Sequence, residues 1–203
     1  MSGSGKLRLL GAAKSCFAKY GFRGASVSAI ARAAGVTPAM VNHHFGNKRG
    51  LYDACIASFS RKRSEAIERL VVPSESPDVF RLRLELLLEE MLELHLADLD
   101  MVRILMRDAD DPELMPPDAD RAVLAFSEHL VRLFVLGQEG GVIRADIDPA
   151  APALLLYHSL AARLQVDAHR QRAEGKSLAD PVVRRAHLSS ILDVVLHGVV
   201  SSG

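Results

Sequence analysis

SVSAIARAAGVTPAMVNHHF, residues 26–45, is the stretch on which the fold turns. Ser26 is a favourable N-cap for a short helix from Val27 to Ala34, and Gly35 breaks that helix. Thr37-Pro38 restarts one, a capping hydroxyl followed by proline at the first helical position, and it closes near Phe45-Gly46. Two short helices about a tight turn centred on Gly35 have the spacing of a helix-turn-helix. Ala31 is expected to face the partner helix, where only a small side chain allows close approach. Gly35 supplies positive φ at the turn with little steric cost. Val27, Ile30, Val36 and Val41 read as the apolar pegs that hold the two helices at a steep angle. The second helix then projects its amino end, whose amides and dipole favour phosphate. Its outward residues, Thr37, Pro38, Ala39, Met40, Asn42, His43 and His44, are neutral or weakly basic groups able to enter a major groove. Spacing alone also fits an ordinary helical hairpin, and the charge of the surrounding chain decides between the two.

That charge is segregated. The 203-residue chain is neutral overall, but residues 1–63 hold eleven basic side chains and one acid, Asp53, for a net +10. The remainder carries the compensating −10. Solubility needs no such separation of sign, whereas a polyanionic partner for the first part does. Apolar residues make up 49% of the chain, enough to build a packed core. No apolar run approaches the ~18 residues of a membrane span, and the opening does not read as a secretory leader. The two cysteines, Cys16 and Cys55, are too few for a disulfide scaffold or a four-ligand zinc site, and they read as buried thiols. A cytoplasmic chain that does not engage membranes is expected. No phosphate-cradling glycine loop, Gly-x-Ser-x-Gly, His-Glu-x-x-His or Cys-x-x-Cys occurs. No catalytic residue, cofactor or metal site is therefore expected. His43 and His44 are adjacent and diverge on a helix, so they do not chelate one ion. Asp110, Asp111 and Glu113 read as a solvated acidic loop.

Outward from the motif, the periodicity is helical throughout. Met1 to Gly5 reads as a flexible tail. Leu9, Ala13, Cys16, Phe17 and Tyr20 mark a helix that ends at Gly21, and Asn47 caps a long one towards Leu70. Pro73 to Pro77 reads as a linker. Helices are then predicted over 79–99, 100–109, 119–136, from Asp148-Pro149 to about Ala173, and from Asp180-Pro181 to about Val200. The expected fold is all-α: an N-terminal three-helix helix-turn-helix domain, residues 1–50, and a larger helical domain, residues 51–203.

Leu9, Ala13, Phe17, Tyr20-Gly21-Phe22, Ser26-Val27, Ile30-Ala31, Ala34-Gly35-Val36, Val41, His44-Phe45, Lys48 and Leu51 together resemble the N-terminal domain of TetR-type (TetR/AcrR) bacterial transcriptional regulators. The resemblance covers about the first sixty residues. It implies a homodimer that binds double-stranded DNA, and a small-molecule effector pocket in the C-terminal domain whose filling relieves repression at an operator. It assigns recognition to Thr37–Phe45, and a phosphate grip to Lys48 and His44. With Ser26 and Ser28 at the preceding helix, the DNA-binding set is Ser26, Ser28, Thr37, Pro38, Ala39, Met40, Asn42, His43, His44 and Lys48. Departures from the commonest pattern are Asn42 for Tyr, Ala39 for Gly, Ser28 for a longer polar residue, and Arg49-Gly50 for an acidic pair. Asn42 is suited to phosphate or to adenine.

For the effector, apolar or amphipathic in class, the candidate lining is Leu88, Met91, His95, Ile104, Leu105, Phe126, Leu130 and Tyr157. The last two helices are too apolar to leave a face wet, which predicts a homodimer paired through them as a four-helix bundle. Two heads so paired would read a roughly palindromic operator. Two other readings stay open on sequence alone. One is a helical ligand- or partner-binding protein whose head no longer reads DNA, resting on the departures at 28, 39, 49 and 50. The other is an enzyme with a helical body, which has no motif behind it.

Overall fold

Glycine and proline set the helix boundaries, and the computed structural model follows them closely. It describes the backbone of residues 2–108, 111, 113–114 and 117–199, and their side chains apart from 2–4, 62–66, 117–123, 125 and 198–199. The fold is all-α. Helix α1 spans Ser2–Gly24 with a break at Gly21, whose φ of 72° and ψ of 169° suit glycine. Helices α2 (Val27–Ala33) and α3 (Pro38–Phe45) form the expected pair. Helix α4 runs Lys48–Ile67 and ends in a 3₁₀ turn, Glu68–Leu70. Then follow α5 (Pro77–Ala97), α6 (Leu99–Asp108), α7 (Pro117–Glu139), α8 (Ala150–Gln165), α9 (Asp167–Glu174) and α10 (Pro181–Val199).

Several boundaries differ from expectation: α1 runs on past Gly21 to Gly24, and α5 begins at Pro77, inside the expected linker. Residues 2–5 are helical rather than a trailing tail. Helix α7 continues through Gly137 because the missing Cβ admits Phe80 and Ile143, each within 3 Å of where that carbon would sit. The helix predicted to reach Ala173 breaks at Val166. There Asp167 turns to accept hydrogen bonds from Arg163 (2.6 Å), the Ser177 hydroxyl (2.7 Å) and the Leu178 amide (2.8 Å). Asp110, singled out from the sequence, lies outside the described residues.

The chain packs as two compact units, residues 1–62 with 97–124, and residues 63–96 with 125–203. In the first, Leu9, Phe17, Ile30, Val41, Leu51, Tyr52, Met101 and Ile104 share one apolar cluster. Helix α6 belongs to it because Met101, Ile104, Leu105 and Asp108 recur at i, i+3, i+4 and i+7 and are all buried. Lys14 pairs with Asp98, Ser15 donates to Asp100 (2.9 Å), and Arg107 donates to the Ala18 carbonyl (3.1 Å), fastening α6 to α1. By packing, the head thus takes in more chain than residues 1–50. The second unit closes over Phe80, Leu84, Leu88, Met91, Phe126, Leu130, Phe134, Leu156, Leu160, Leu188 and Leu192. Arg184, almost fully buried, joins its α5 to α10 through Glu89 (2.6 Å) and Glu93 (3.2 Å).

Candidate nucleic-acid interface

The turn that aims α3 is built as its residues dictate. The Ser26 hydroxyl oxygen accepts from the Ala29 amide at 3.1 Å, capping α2. The Val36 amide returns to the Ala31 carbonyl (3.0 Å), and Gly35 takes φ 65°. Ile30, Ala31 and Val41 are fully buried, while Val27 and Val36 pack against them in part. These contacts fix the inner side of α3 and leave the other side outward. Thr37, Pro38, Ala39, Asn42 and His43 are exposed, as are Ser26 and Ser28 of α2. Thr37 stands at the N-cap position of α3, but its side chain makes no cap hydrogen bond, unlike the capping hydroxyl expected there.

Three of the ten expected contacts have other work inside the head. Met40 is half-buried and packs on the head cluster. His44 is half-buried, its ring 4.9 Å from that of His43 and 6.1 Å from Phe45, and its Nε2 is enclosed without a hydrogen-bond partner. Lys48 Nζ donates to the carbonyls of Ala25 (3.0 Å) and Arg23 (3.4 Å) and sits 4.7 Å from the Phe22 ring centre. It thereby closes the end of α1 onto the start of α4. At that start the Asn47 side chain accepts from the Gly50 amide (2.9 Å), the cap expected there. Gly50 is required by its surroundings: an added Cβ would lie 2.0 Å from the Phe45 carbonyl oxygen.

The cations of the head divide into two sets. Arg23 meets Glu113 (3.3 Å) and Asp111 (3.8 Å), Arg49 meets Asp53 (2.8 Å), and Lys14 meets Asp98. Asp111 and Glu113, read as a solvated loop, thus answer Arg23. Lys6, Arg8, Lys19, Arg32 and Lys48 have no carboxylate among the described residues. Two of them come from the amino end of α1, which lies against α3. A Cβ on Gly5 would be 3.3 Å from Met40 Cε, Lys6 Nζ stands 5.9 Å from the Phe45 ring centre, and an Arg8 nitrogen lies 3.9 Å from where a Cβ on Gly35 would be.

One cluster in the head was not legible from sequence. The Tyr52 hydroxyl donates to Asp108 Oδ2 at 2.7 Å, and Arg107 donates to both Asp108 oxygens at 2.7 and 2.9 Å. Burial, then the Asp108 hydrogen bond, pushes the Tyr52 hydroxyl well above its usual range. Burial likewise pushes the Cys55 thiol up to about 12. Cys55 is buried as expected, whereas Cys16 is half-buried.

Of the eight candidate effector residues, Leu88, Met91, Phe126 and Leu130 meet in the core of the second unit, and half-buried Tyr157 packs on it 5.9 Å from Phe126. His95 is half-buried with Nδ1 2.7 Å from the Met91 carbonyl oxygen. Ile104 and Leu105 are not brought together with them; both lie in the head cluster. Among the described residues no helix is long and apolar enough to cross a membrane.

Residues 9–55 match the family described as bacterial regulatory proteins, tetR family. The chain is 31% identical over 90 residues to the HTH-type transcriptional repressor AcnR of Corynebacterium jeikeium, covering 40% of this chain and 48% of that protein. It is 52% identical over 48 residues to the HTH-type transcriptional regulatory protein RaaS of Mycobacterium tuberculosis, covering 24% of this chain and 22% of that one. The matched stretches span less than half of each of these relatives. FadR of Bacillus subtilis, solved in complex with stearoyl-CoA, has the same fold: TM-score 0.72 at 18% identity, covering 95% of this chain and 98% of that chain.

Proposed function

We propose that this chain, which is of the TetR type, is a cytoplasmic, non-enzymatic, sequence-specific DNA-binding regulator. It acts as a repressor released from a palindromic operator by a small-molecule effector. Residues 1–50 form the DNA-reading part, with the motif at 26–45, and residues 51–203 the effector-binding and dimerising part. The observation that carries the reading is the outward side of α3. Thr37, Pro38, Ala39, Asn42 and His43 stand exposed, and Lys6 and Arg8 beside them have no carboxylate partner among the described residues. Base contacts come from this face. Phosphate contacts come from the helix amides, from Lys48 through its remaining donor hydrogen, and from His44 once its ring turns.

Dimerisation is supported by apolar side chains left open on the last helices. Leu155 on α8 is 58% exposed and Val194 on α10 is 76% exposed, with Leu154 and Val182 also open. Pairing α8 and α10 with those of a second copy covers them and sets two heads ~34–36 Å apart on successive major grooves. An apolar or amphipathic effector suits the core around Leu88, Met91, Phe126 and Leu130, with Tyr157 and His95 as the polar groups at its margin. Release then requires that the effector favour the state with lower operator affinity.

The test is binding to duplex DNA across salt concentrations. Specific affinity should fall steeply between low and moderate salt. Lys48→Ala should weaken all sequences alike, and Asn42→Ala should also change base preference. Equal binding by the wild type and both variants would refute these roles.

A further inference from the structure

The amino end of α1 approaches α3, and it brings charge with it. Gly5 abuts Met40 in the first turn of α3, where a Cβ would be only 3.3 Å from the methionine methyl group. That close approach sets Lys6 over the Phe45 ring at one end of α3. Arg8, two residues on and therefore on another side of its helix, reaches the Gly35 turn that precedes the other end. Both side chains are exposed, and neither has a carboxylate partner among the described residues. The contrast with Lys14, Arg23 and Arg49, each answered by an acid, is informative. An unanswered pair of cations beside an outward helix adds self-repulsion to the free head, and a polyanion relieves it.

We infer that Lys6 and Arg8 are backbone-phosphate contacts that flank the recognition helix, one near each of its ends, so that α1 holds the duplex along with the helix-turn-helix. The inference rests on the DNA-binding reading above. Because phosphate contacts carry no sequence information directly, both residues should contribute affinity and salt dependence and leave base preference alone.

The probe is a duplex enriched by the wild-type chain from a random pool, titrated at several salt concentrations. For each cation removed per bound protomer, the slope of log affinity against log salt should shallow by about 0.9. Between 50 and 200 mM salt the Lys6→Ala/Arg8→Ala double variant should therefore lose roughly twelvefold less affinity per protomer than the wild type. Lys6→Arg should keep the wild-type slope. Arg69→Ala removes one positive charge, as either single substitution does, but from a residue already paired with Glu90, and it should also keep that slope. Thermal melts of each variant confirm that the head is folded. Lys6→Gln stands in for Lys6→Ala if the latter melts early. Wild-type chain that enriches no duplex defeats the parent reading. Wild-type binding with an unchanged slope in the double variant, or an altered base preference, overturns this inference alone.

Discussion

Asp108→Ala should loosen the head even though the residue lies 63 positions beyond the motif. Asp108 is 4% exposed and accepts from a fully buried Tyr52 hydroxyl at 2.7 Å, so its removal strands that hydroxyl without a partner. An orphaned buried polar group costs about 1–3 kcal/mol. The Arg107 side chain is 39% exposed and rehydrates, so the loss of its ion pair adds about 1 kcal/mol at most. The sum is about 1–4 kcal/mol. Tyr52→Phe removes the donor but leaves Asp108 served by Arg107, and should cost about 1 kcal/mol. Because the pair is in direct contact, the double variant should be less destabilised than the two singles added together, by about 1 kcal/mol. Urea titration followed by far-UV circular dichroism gives the energies. Hydrogen exchange of α1 and α6 amides shows that the loss is local to the head. An Asp108→Ala chain within about 0.5 kcal/mol of wild type, or strictly additive singles, would refute the reasoning.

Three further outcomes follow from separate features. Gly50→Ala places a carbon where only 2.0 Å separates it from the Phe45 carbonyl oxygen, so α3 and α4 must part; the variant should lose about 1–3 kcal/mol by thermal melting and bind DNA more weakly, and unchanged binding would contradict the fit. Burial holds the Cys55 thiol neutral to about pH 12. Its neutral form favours the folded chain, so that contribution is full below about pH 9 and fades as pH rises towards 12. At pH 9, alkylation of the folded chain should therefore mark Cys16 well before Cys55, as read by peptide mass. Leu155→Arg with Val194→Arg changes two exposed side chains; sedimentation should show a dimer in the wild type and a monomer in the variant, with an unchanged helical spectrum.

The motif was legible because its signals are local. Ser26, Gly35, Pro38 and Asn47 each act within four residues, and the structure uses three of them as caps or turn formers in the expected places, with Pro38 at the first position of α3. The assignment of α6 was not legible, because an apolar stripe at helical spacing says that a face is buried and not against which partner. Ile104 and Leu105 therefore read equally well as pocket lining and as head core. The Tyr52–Asp108 pair was hidden for a related reason: its members are 56 positions apart, and an Asp beside an Arg at a helix end looks solvated. Exposure of Thr37, Pro38, Ala39, Asn42 and His43 was readable from α3 itself, whereas Met40 and His44, expected to face outward with them, are half-buried. The inward duties of Lys48 were not readable, since they depend on carbonyls and a ring contributed by residues 22–25.

The most direct measurement of the central claim is selection of bound duplexes from a random pool by the full chain, repeated with Asn42→Ala. The account predicts one enriched, roughly palindromic consensus with half-sites about one helical turn apart, and a shifted base preference in the variant. A pool that stays random after repeated rounds, or a consensus that the variant reproduces unchanged, would contradict it.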